Sequence, residues 1–424
     1  MCGLFGTSGI RRKVSELPPE FAVRMGQALG TTTGFGTVAV GRDTRSSGPL
    51  LESSLVSGIL STGCNVVELG VVSTPTVGVA TSDYGVGVMV TASHNPPDYN
   101  GFKFWSRDGA FRPGEEKNLE DVFEGRVFRK GYGSEVSGDY VGRHIDLILG
   151  HVGAADGVNV LLDCAGGSGS SITPGLLEGM GCNVTVVNDN TDGVFPHPLE
   201  PTESNLAETC RMVREGGYDI AFAHDGDADR TAAIDSGGRL VEWDSFLAVL
   251  AYGLDRVVTT VDASMRVEEV CGEVIRVPVG DVAVAEGIRE NKAGFGGEPS
   301  GTYIFPDIHI YPDGVATVAK TVSMVSEGSF YDILSGIPSY PVERVKIPCA
   351  EGDKAVVMGK LTTVIDSEYT TVDGVRVQWD DAWILIRPSG TEPYMRITAE
   401  ARDSERLKEV VGKGRAWLSE AGLQ

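Results

Sequence analysis

Basic residues are scarce in this chain. Lys and Arg number 36 against 59 Asp and Glu, a formal net charge of −23. That balance argues against nucleic acid as a partner, because a phosphate backbone demands the opposite sign. The same excess repels anionic substrates at long range, so a phosphate site has to be built from local arginines and backbone amides. No apolar run reaches the length of a membrane span. The opening Met1-Cys2-Gly3-Leu4-Phe5 has neither the basic region nor the apolar core of a secretory signal. The 7 cysteines are scattered and lack CxxC spacing, which argues against structural zinc and for a reducing, cytoplasmic compartment. Metal-ligand spacing is also missing among His144, His151, His197, His224 and His309, which read as ordinary histidines.

What is present is a chain of 424 residues, 41% hydrophobic, enough for a packed core and for two to four domains. Its 56 glycines point to many tight turns and close backbone approaches. A duplication is visible. Thr37 to Val40 reads as a strand, Leu50 to Leu60 as a helix, and Gly63-Cys64-Asn65-Val66-Val67 as a glycine stop before a buried strand. Val158 to Leu162, Ile172 to Leu177 and Gly181-Cys182-Asn183-Val184 repeat that order, and a weaker third copy begins at Val257. Strands alternating with helices imply α/β layers. The C-terminal segment differs. Val375 and Val377 follow an Asp373-Gly374 hairpin turn, Trp383 to Ile386 and Tyr394 to Ala399 are further strands, and a helix follows with Ser404 as its expected N-cap. The expected fold is three related α/β domains in series plus a smaller C-terminal α+β domain, divided as 1–150, 151–246, 247–342 and 343–424.

Four loops carry chemistry. In Thr91-Ala92-Ser93-His94-Asn95-Pro96-Pro97, Ser93 stands just past a strand, where a positioned oxygen nucleophile suits phosphoryl transfer. A plain turn with a satisfied histidine is the other reading. In Asp225-Gly226-Asp227-Ala228-Asp229-Arg230, alternate residues of an extended segment would point the same way, so the three carboxylates can converge on one hard cation such as Mg²⁺. The alternative is a solvated acidic turn; like charges at that spacing repel unless something neutralises them. In Gly296-Gly297-Glu298-Pro299-Ser300-Gly301, Glu298 and Ser300 can bond sugar hydroxyls, or the segment is an ordinary turn. In Arg387-Pro388-Ser389-Gly390-Thr391-Glu392-Pro393, an arginine, hydroxyls and a glycine permit a nest around a phosphate; a polar hairpin loop is the alternative.

The four loops together, in this order, resemble the α-D-phosphohexomutase superfamily, which includes phosphoglucomutase, phosphomannomutase and phosphoglucosamine mutase. Phe5-Gly6-Thr7-Ser8-Gly9-Ile10-Arg11, Val40-Gly41-Arg42-Asp43-Thr44-Arg45 and Asn100-Gly101-Phe102-Lys103 are similar to family motifs as well, so the likeness spans the chain and is archaeal-like in detail. The resemblance implies four domains around a central cleft, each giving one loop. It implies that Ser93 carries phosphate, with Mg²⁺ between that phosphate and Asp225, Asp227 and Asp229. Arg11, His94, Lys103 and Arg230 would serve the reacting phosphoryl group, with Lys103 as an acid/base. Glu298 and Ser300 would hold sugar hydroxyls, and Arg387, Ser389, Gly390 and Thr391 the substrate's phosphate. A hexose 1,6-bisphosphate would phosphorylate Ser93 as activator. The partner would be a small phosphosugar, with no nucleic acid or membrane, for a monomer or homodimer.

Thr302 departs from the pattern, since many relatives have histidine there. Arg276-Val277-Pro278-Val279-Gly280-Asp281 is closer to the phosphoglucosamine mutase pattern and favours glucosamine phosphates, with mannose or glucose phosphates second. Asp281 would contact an amino group or cap a helix. Three readings of other classes remain. Met1 to Gly6 resembles the start of glutamine amidotransferases, with Cys2 as nucleophile; Asp225 and Asp227 alone would suit a phosphatase; and a non-catalytic sugar-phosphate binder would need no transfer at all.

Overall fold

The computed structural model describes residues 3–6, 8–390 and 392–423. They form two units, Met1–Trp243 with Ser300–Asp332, and Asp244–Pro299 with Ile333–Gln424.

In the first unit, the strand Thr37–Arg42 lies between Asn65–Val71 and Gly85–Val90, parallel to both. Tyr99–Ser106 then runs antiparallel beside Gly85–Val90, and Ile10–Lys13 beside Tyr99–Ser106. The helices Gly48–Leu60 and Thr74–Tyr84 make the two crossovers. Strand periodicity sorts the side chains: Val38 and Val40 join one apolar cluster with Leu55 and Ile59, while Ala39 joins another with Val77 and Ala80. Both faces are therefore covered, as a parallel sheet requires. The first crossover carries the chain from Thr37–Arg42 to Asn65–Val71 on one side, and the second returns it past Thr37–Arg42 to Gly85–Val90 on the other; the crevice at such a switch point is where open α/β sheets bind ligands.

The second sheet repeats this plan. Asn159–Asp163 lies parallel to Asn183–Val187 and Ile220–His224, and Thr231–Asp235 returns antiparallel. Gly63 (φ +85°) and Gly181 (φ +87°) occupy matching positions after the first crossover helix of each copy, where a left-handed residue is needed. In the second unit, Arg256–Thr260 lies parallel to Glu273–Val277 and Phe295–Glu298. The final sheet is antiparallel, in the order Val342–Pro348, Tyr394–Ala401, Ala382–Pro388, Val375–Gln378, Tyr369–Thr370. The helices Lys354–Val364 and Ser404–Glu420 pack on its apolar core, which includes Ile384, Ile386, Ile397 and Trp417. Three α/β layers and one α+β layer are thus present.

Three expected chemical loops occupy one topological position. Each follows the third parallel strand of its copy: Gly85–Val90 leads into the Ser93 loop, Ile220–His224 into Asp225, and Phe295–Glu298 into Pro299-Ser300-Gly301. Two expected caps are displaced by a residue. Asp403, not Ser404, caps the last helix; its carboxylate accepts from the Glu405 and Arg406 N–H groups at 2.9 Å, a stronger acceptor than a hydroxyl. Asp281 is the first residue of its helix, and Gly280, at φ +132°, stands at the cap because only glycine takes that conformation readily.

Candidate active site

Ser93 is fully buried and left-handed, at φ +52°. A side-chain-bearing residue there costs about 1–2 kcal/mol, so the surrounding bonds have to hold it. Its hydroxyl donates to Asp225 Oδ2 at 2.7 Å and lies 3.3 Å from His94 Nδ1. The approach of the two loops depends on Gly226, where a Cβ would stand 2.7 Å from the Ser93 carbonyl oxygen.

Asp225, Asp227 and Asp229 are buried, and each offers an oxygen within 4.8 Å of the others. The expected reason for this convergence is corrected. The segment is a turn, not an extended strand, and Ala228 at φ +55° folds it back on itself. Lys103 reaches both Asp227, at 2.6 Å, and Asp229. Thr74, the first residue of its helix, donates its hydroxyl to Asp227. Burial and the charges of Asp227 and Asp229 push the Asp225 carboxyl well above the usual range. Burial also raises Asp227, but Lys103, Thr74 and Arg11 outweigh it and hold that carboxyl at about 2. Burial pulls Lys103 down, yet its two carboxylates leave it raised. His94 is lowered to about 3 by burial and then by Arg230, Arg11 and Lys103. The structure therefore keeps Lys103 cationic and His94 neutral. The Oδ1 atoms of Asp227 and Asp229 are buried without a hydrogen-bond partner. Orphaned hard oxygen donors beside a third carboxylate fit a divalent cation of the Mg²⁺ kind.

Of the remaining site residues, Arg11 reaches Asn95 Oδ1 at 3.4 Å, and the Arg230 N–H donates to Asp225 Oδ1 at 3.4 Å. Arg230 is also bridged through its backbone to Thr302, whose hydroxyl lies 3.4 Å from Ser300 Oγ. In the second unit, Glu298 ends its strand. Arg387 pairs with Asp373 at 3.2 Å, Ser389 Oγ accepts from the Glu392 N–H at 3.3 Å, and a Cβ at Gly390 would meet open space. Thr391 lies outside the described residues, as does Cys2.

Models of four successive domains match this chain: phosphoglucomutase/phosphomannomutase α/β/α domains I, II and III at residues 3–130, 143–238 and 244–340, and the C-terminal domain at 345–413. The chain belongs to the phosphoglucomutase/phosphomannomutase family. It is a phosphohexomutase enzyme, an isomerase. A probable phosphoglucosamine mutase of Methanopyrus kandleri is 46% identical over 96% of this chain and 95% of that protein. A phosphoglucosamine mutase of Methanocaldococcus jannaschii is 41% identical over 99% and 98%. The crystal structure of a phosphoglucomutase/phosphomannomutase family protein from Burkholderia thailandensis superposes with a TM-score of 0.89 at 27% identity, covering 99% of this chain and 98% of that one.

Sequence reasoning about the mutase missed two buried groups. Lys354, the first residue of its helix, donates to the carbonyls of Ser389 (2.6 Å) and Glu392 (2.9 Å), and so ties down the Arg387 loop. His144 and His309, taken as ordinary, converge: their Nε2 atoms lie 2.9 and 2.8 Å from one oxygen of Asp313. The three side chains are close enough to hold a cation. Hydrogen bonding already accounts for them. Asp313 Oδ1 caps the helix Gly314–Ser326, and His309 Nδ1 accepts the Tyr311 N–H at 3.2 Å, which puts the proton of a neutral ring on Nε2, facing the carboxylate. His144 and Asp313 are 169 positions apart, so no local spacing announces their pairing. No helix among the described residues is long and apolar enough to cross a membrane.

Proposed function

We propose that the mutase interconverts glucosamine 6-phosphate and glucosamine 1-phosphate through phosphoserine at Ser93 and a bisphosphorylated sugar. The observation that carries this reading is the Ser93 hydroxyl, 2.7 Å from Asp225 at the edge of three buried carboxylates. The amino sugar is supported by the names of the relatives from M. kandleri and M. jannaschii.

In the proposed step the Ser93 Oγ–P bond breaks as a sugar hydroxyl oxygen bonds phosphorus. Net, the hydroxyl exchanges its proton for the phosphoryl group and Ser93 does the reverse. The bisphosphate turns over in the site, and its other phosphate returns to Ser93. Asp225, Asp227 and Asp229 would hold Mg²⁺, which supplies neutralisation of the charge on the phosphoryl oxygens. Arg11 and Arg230 add fixed positive charge there. Lys103 would be the acid/base, with its proton held by two carboxylates in the cation-free site, and His94 would contact the reacting phosphoryl group as a neutral ring. Glu298 and Ser300 would hold sugar hydroxyls, and Arg387, Ser389, Gly390 and Thr391 the phosphate that is not reacting. A hexose 1,6-bisphosphate would load Ser93. The division at 150, 246 and 342, with one loop per domain, belongs to the same proposal, as does a cytoplasmic monomer or homodimer.

The test is isomerisation of glucosamine, mannose and glucose phosphates with Mg²⁺ and a trace of the bisphosphate. Preference for glucosamine phosphate is expected; preference for mannose or glucose phosphate would keep the mechanism and reject the substrate. Ser93→Ala is expected to abolish turnover with every sugar, and full activity in that variant would sink the phosphoserine reading.

A further inference from the structure

The segment Asp43-Thr44-Arg45 has no part in the chemistry described so far, yet it is buried throughout. Arg45 is 1% exposed and spends all five of its guanidinium N–H bonds inside the protein. Nε donates to Asp43 Oδ2 at 3.0 Å. The four Nη hydrogens go to four main-chain carbonyls of one loop: Ser93 and Asn95 at 2.7 Å each, Pro96 at 2.7 Å and Tyr99 at 2.9 Å. The loop is wrapped around a cation. Its other anchor returns to the same pair. Asp43 Oδ2 accepts the Thr91 hydroxyl at 2.6 Å, and Thr91 Oγ1 accepts the Ser93 N–H at 2.8 Å. Both backbone polar groups of Ser93 are thus fixed, one by Arg45 and the other through Thr91 by Asp43. This is what holds a serine at φ +52°.

The residue between them faces the other loop. Thr44 Oγ1 donates to the Gly166 carbonyl at 2.6 Å. Two residues on, the Ser168 N–H donates to the Gly226 carbonyl at 3.0 Å, beneath the carboxylate turn. Three consecutive residues, at the end of the strand Thr37–Arg42 and at the switch point of its sheet, therefore touch the supports of both reacting loops.

We propose that Asp43-Thr44-Arg45 is the positioning element of phosphoryl transfer, holding the Ser93 hydroxyl in register with Asp225, Asp227 and Asp229. The proposal rests on the reading of Ser93 as the phosphorylated nucleophile. Arg45 acts through the backbone of Ser93. Its loss shifts the reacting oxygen and leaves the residues assigned to sugar binding untouched.

The experiment compares the full-length enzyme with Arg45→Lys and Thr91→Val. A lysine keeps the charge, but three N–H bonds from one nitrogen cannot serve a carboxylate and four carbonyls. A displacement of about 1 Å costs about 100-fold, so kcat of Arg45→Lys is expected to fall by that order. KM is expected to stay within about twofold. Thr91→Val spares the ion pair but removes the acceptor of the Ser93 N–H, and is expected to lower kcat about 10-fold, again with little change in KM. Ser93 phosphorylation is read by intact mass in each protein, and folding by thermal unfolding. Wild-type kcat in a folded, phosphorylated Arg45→Lys enzyme would overturn the proposal, even if its Tm fell, because that is what a purely structural role predicts. Should Arg45→Lys not fold, Thr91→Val decides alone, and an unchanged kcat overturns the proposal. If wild-type enzyme takes up no phosphate on Ser93 from hexose 1,6-bisphosphate and Ser93→Ala still turns over, the nucleophile reading has failed and the positioning role falls with it. The mass of the wild type separates that failure from a failure of the clamp alone.

Discussion

Removing the ammonium of Lys103 is expected to make the cation-free enzyme markedly less stable and to make it bind divalent cations more tightly. Lys103 is 2% exposed and is the ammonium paired with both Asp227 and Asp229. Lys103→Met keeps an unbranched side chain as far as the ε position and deletes the ammonium, leaving three buried carboxylates within 4.8 Å of one another. Breaking a buried pair from one side costs about 3–5 kcal/mol, because the partner is left charged and desolvated. A divalent cation at 100 times its Kd would return about 2.7 kcal/mol, and the variant should bind it more tightly for want of a competing charge. The assay is denaturant unfolding of both proteins in EDTA and in saturating Mg²⁺, with cation affinity from titration calorimetry. The gap in stability should be large in EDTA and shrink with Mg²⁺. Equal stability in EDTA would refute the reasoning, since it would mean that the carboxylates do not need a counter-charge.

The raised Asp225 carboxyl retains a proton at pH values where an ordinary aspartate has lost it. Cation binding should therefore release protons, and affinity should rise with pH; calorimetry in buffers of different ionisation enthalpy reads the released proton, and its absence would count against a shared site. His197 donates to Asp163 at 3.2 Å, and although burial lowers its pKa, that partner leaves it raised. A raised histidine contributes stability that is complete below its unfolded value of about 6.5 and is lost as pH climbs through the folded value. His197→Gln should flatten that part of the stability–pH curve, and a wild-type curve already flat there would contradict it. Gly226→Ala places a methyl 2.7 Å from the Ser93 carbonyl and should lower kcat by about 100-fold; wild-type turnover would show that the two loops do not need so close an approach.

Much of the site was legible because it is local. Ser93, Asp225, Asp227 and Asp229 lie in short loops whose residue types raise the expectation of a nucleophile and a hard-cation site. The grouping of the three aspartates was right, although alternation along a strand was the wrong reason; a turn with Ala228 in the left-handed region brings them together. Asp403 and Gly280 were each one residue from the expected caps, because the choice between neighbouring acceptors is made by backbone angles that composition does not encode. The double role of Lys103, as a similar family motif and as the counter-ion of two carboxylates 124 and 126 residues away, had no local signature for its second half.

By itself the sequence determined the kinds of layer and the residue types that the loops carry. Hydrophobic period, glycine stops and hairpin residues act over a few positions, and so do the motifs. The tertiary structure alone decided which distant groups share a site. It brought Arg45 to the carbonyls of residues 93–99, Lys354 to the Arg387 loop, and His144 to Asp313. It also placed Ser300–Asp332 in the first unit, with the Gly314 N–H on the Ala228 carbonyl at 3.2 Å. The physical reason is that a buried charge or an unpaired carbonyl must find a partner wherever the packed chain offers one. That choice is made in space, across separations over which residue spacing carries no signal.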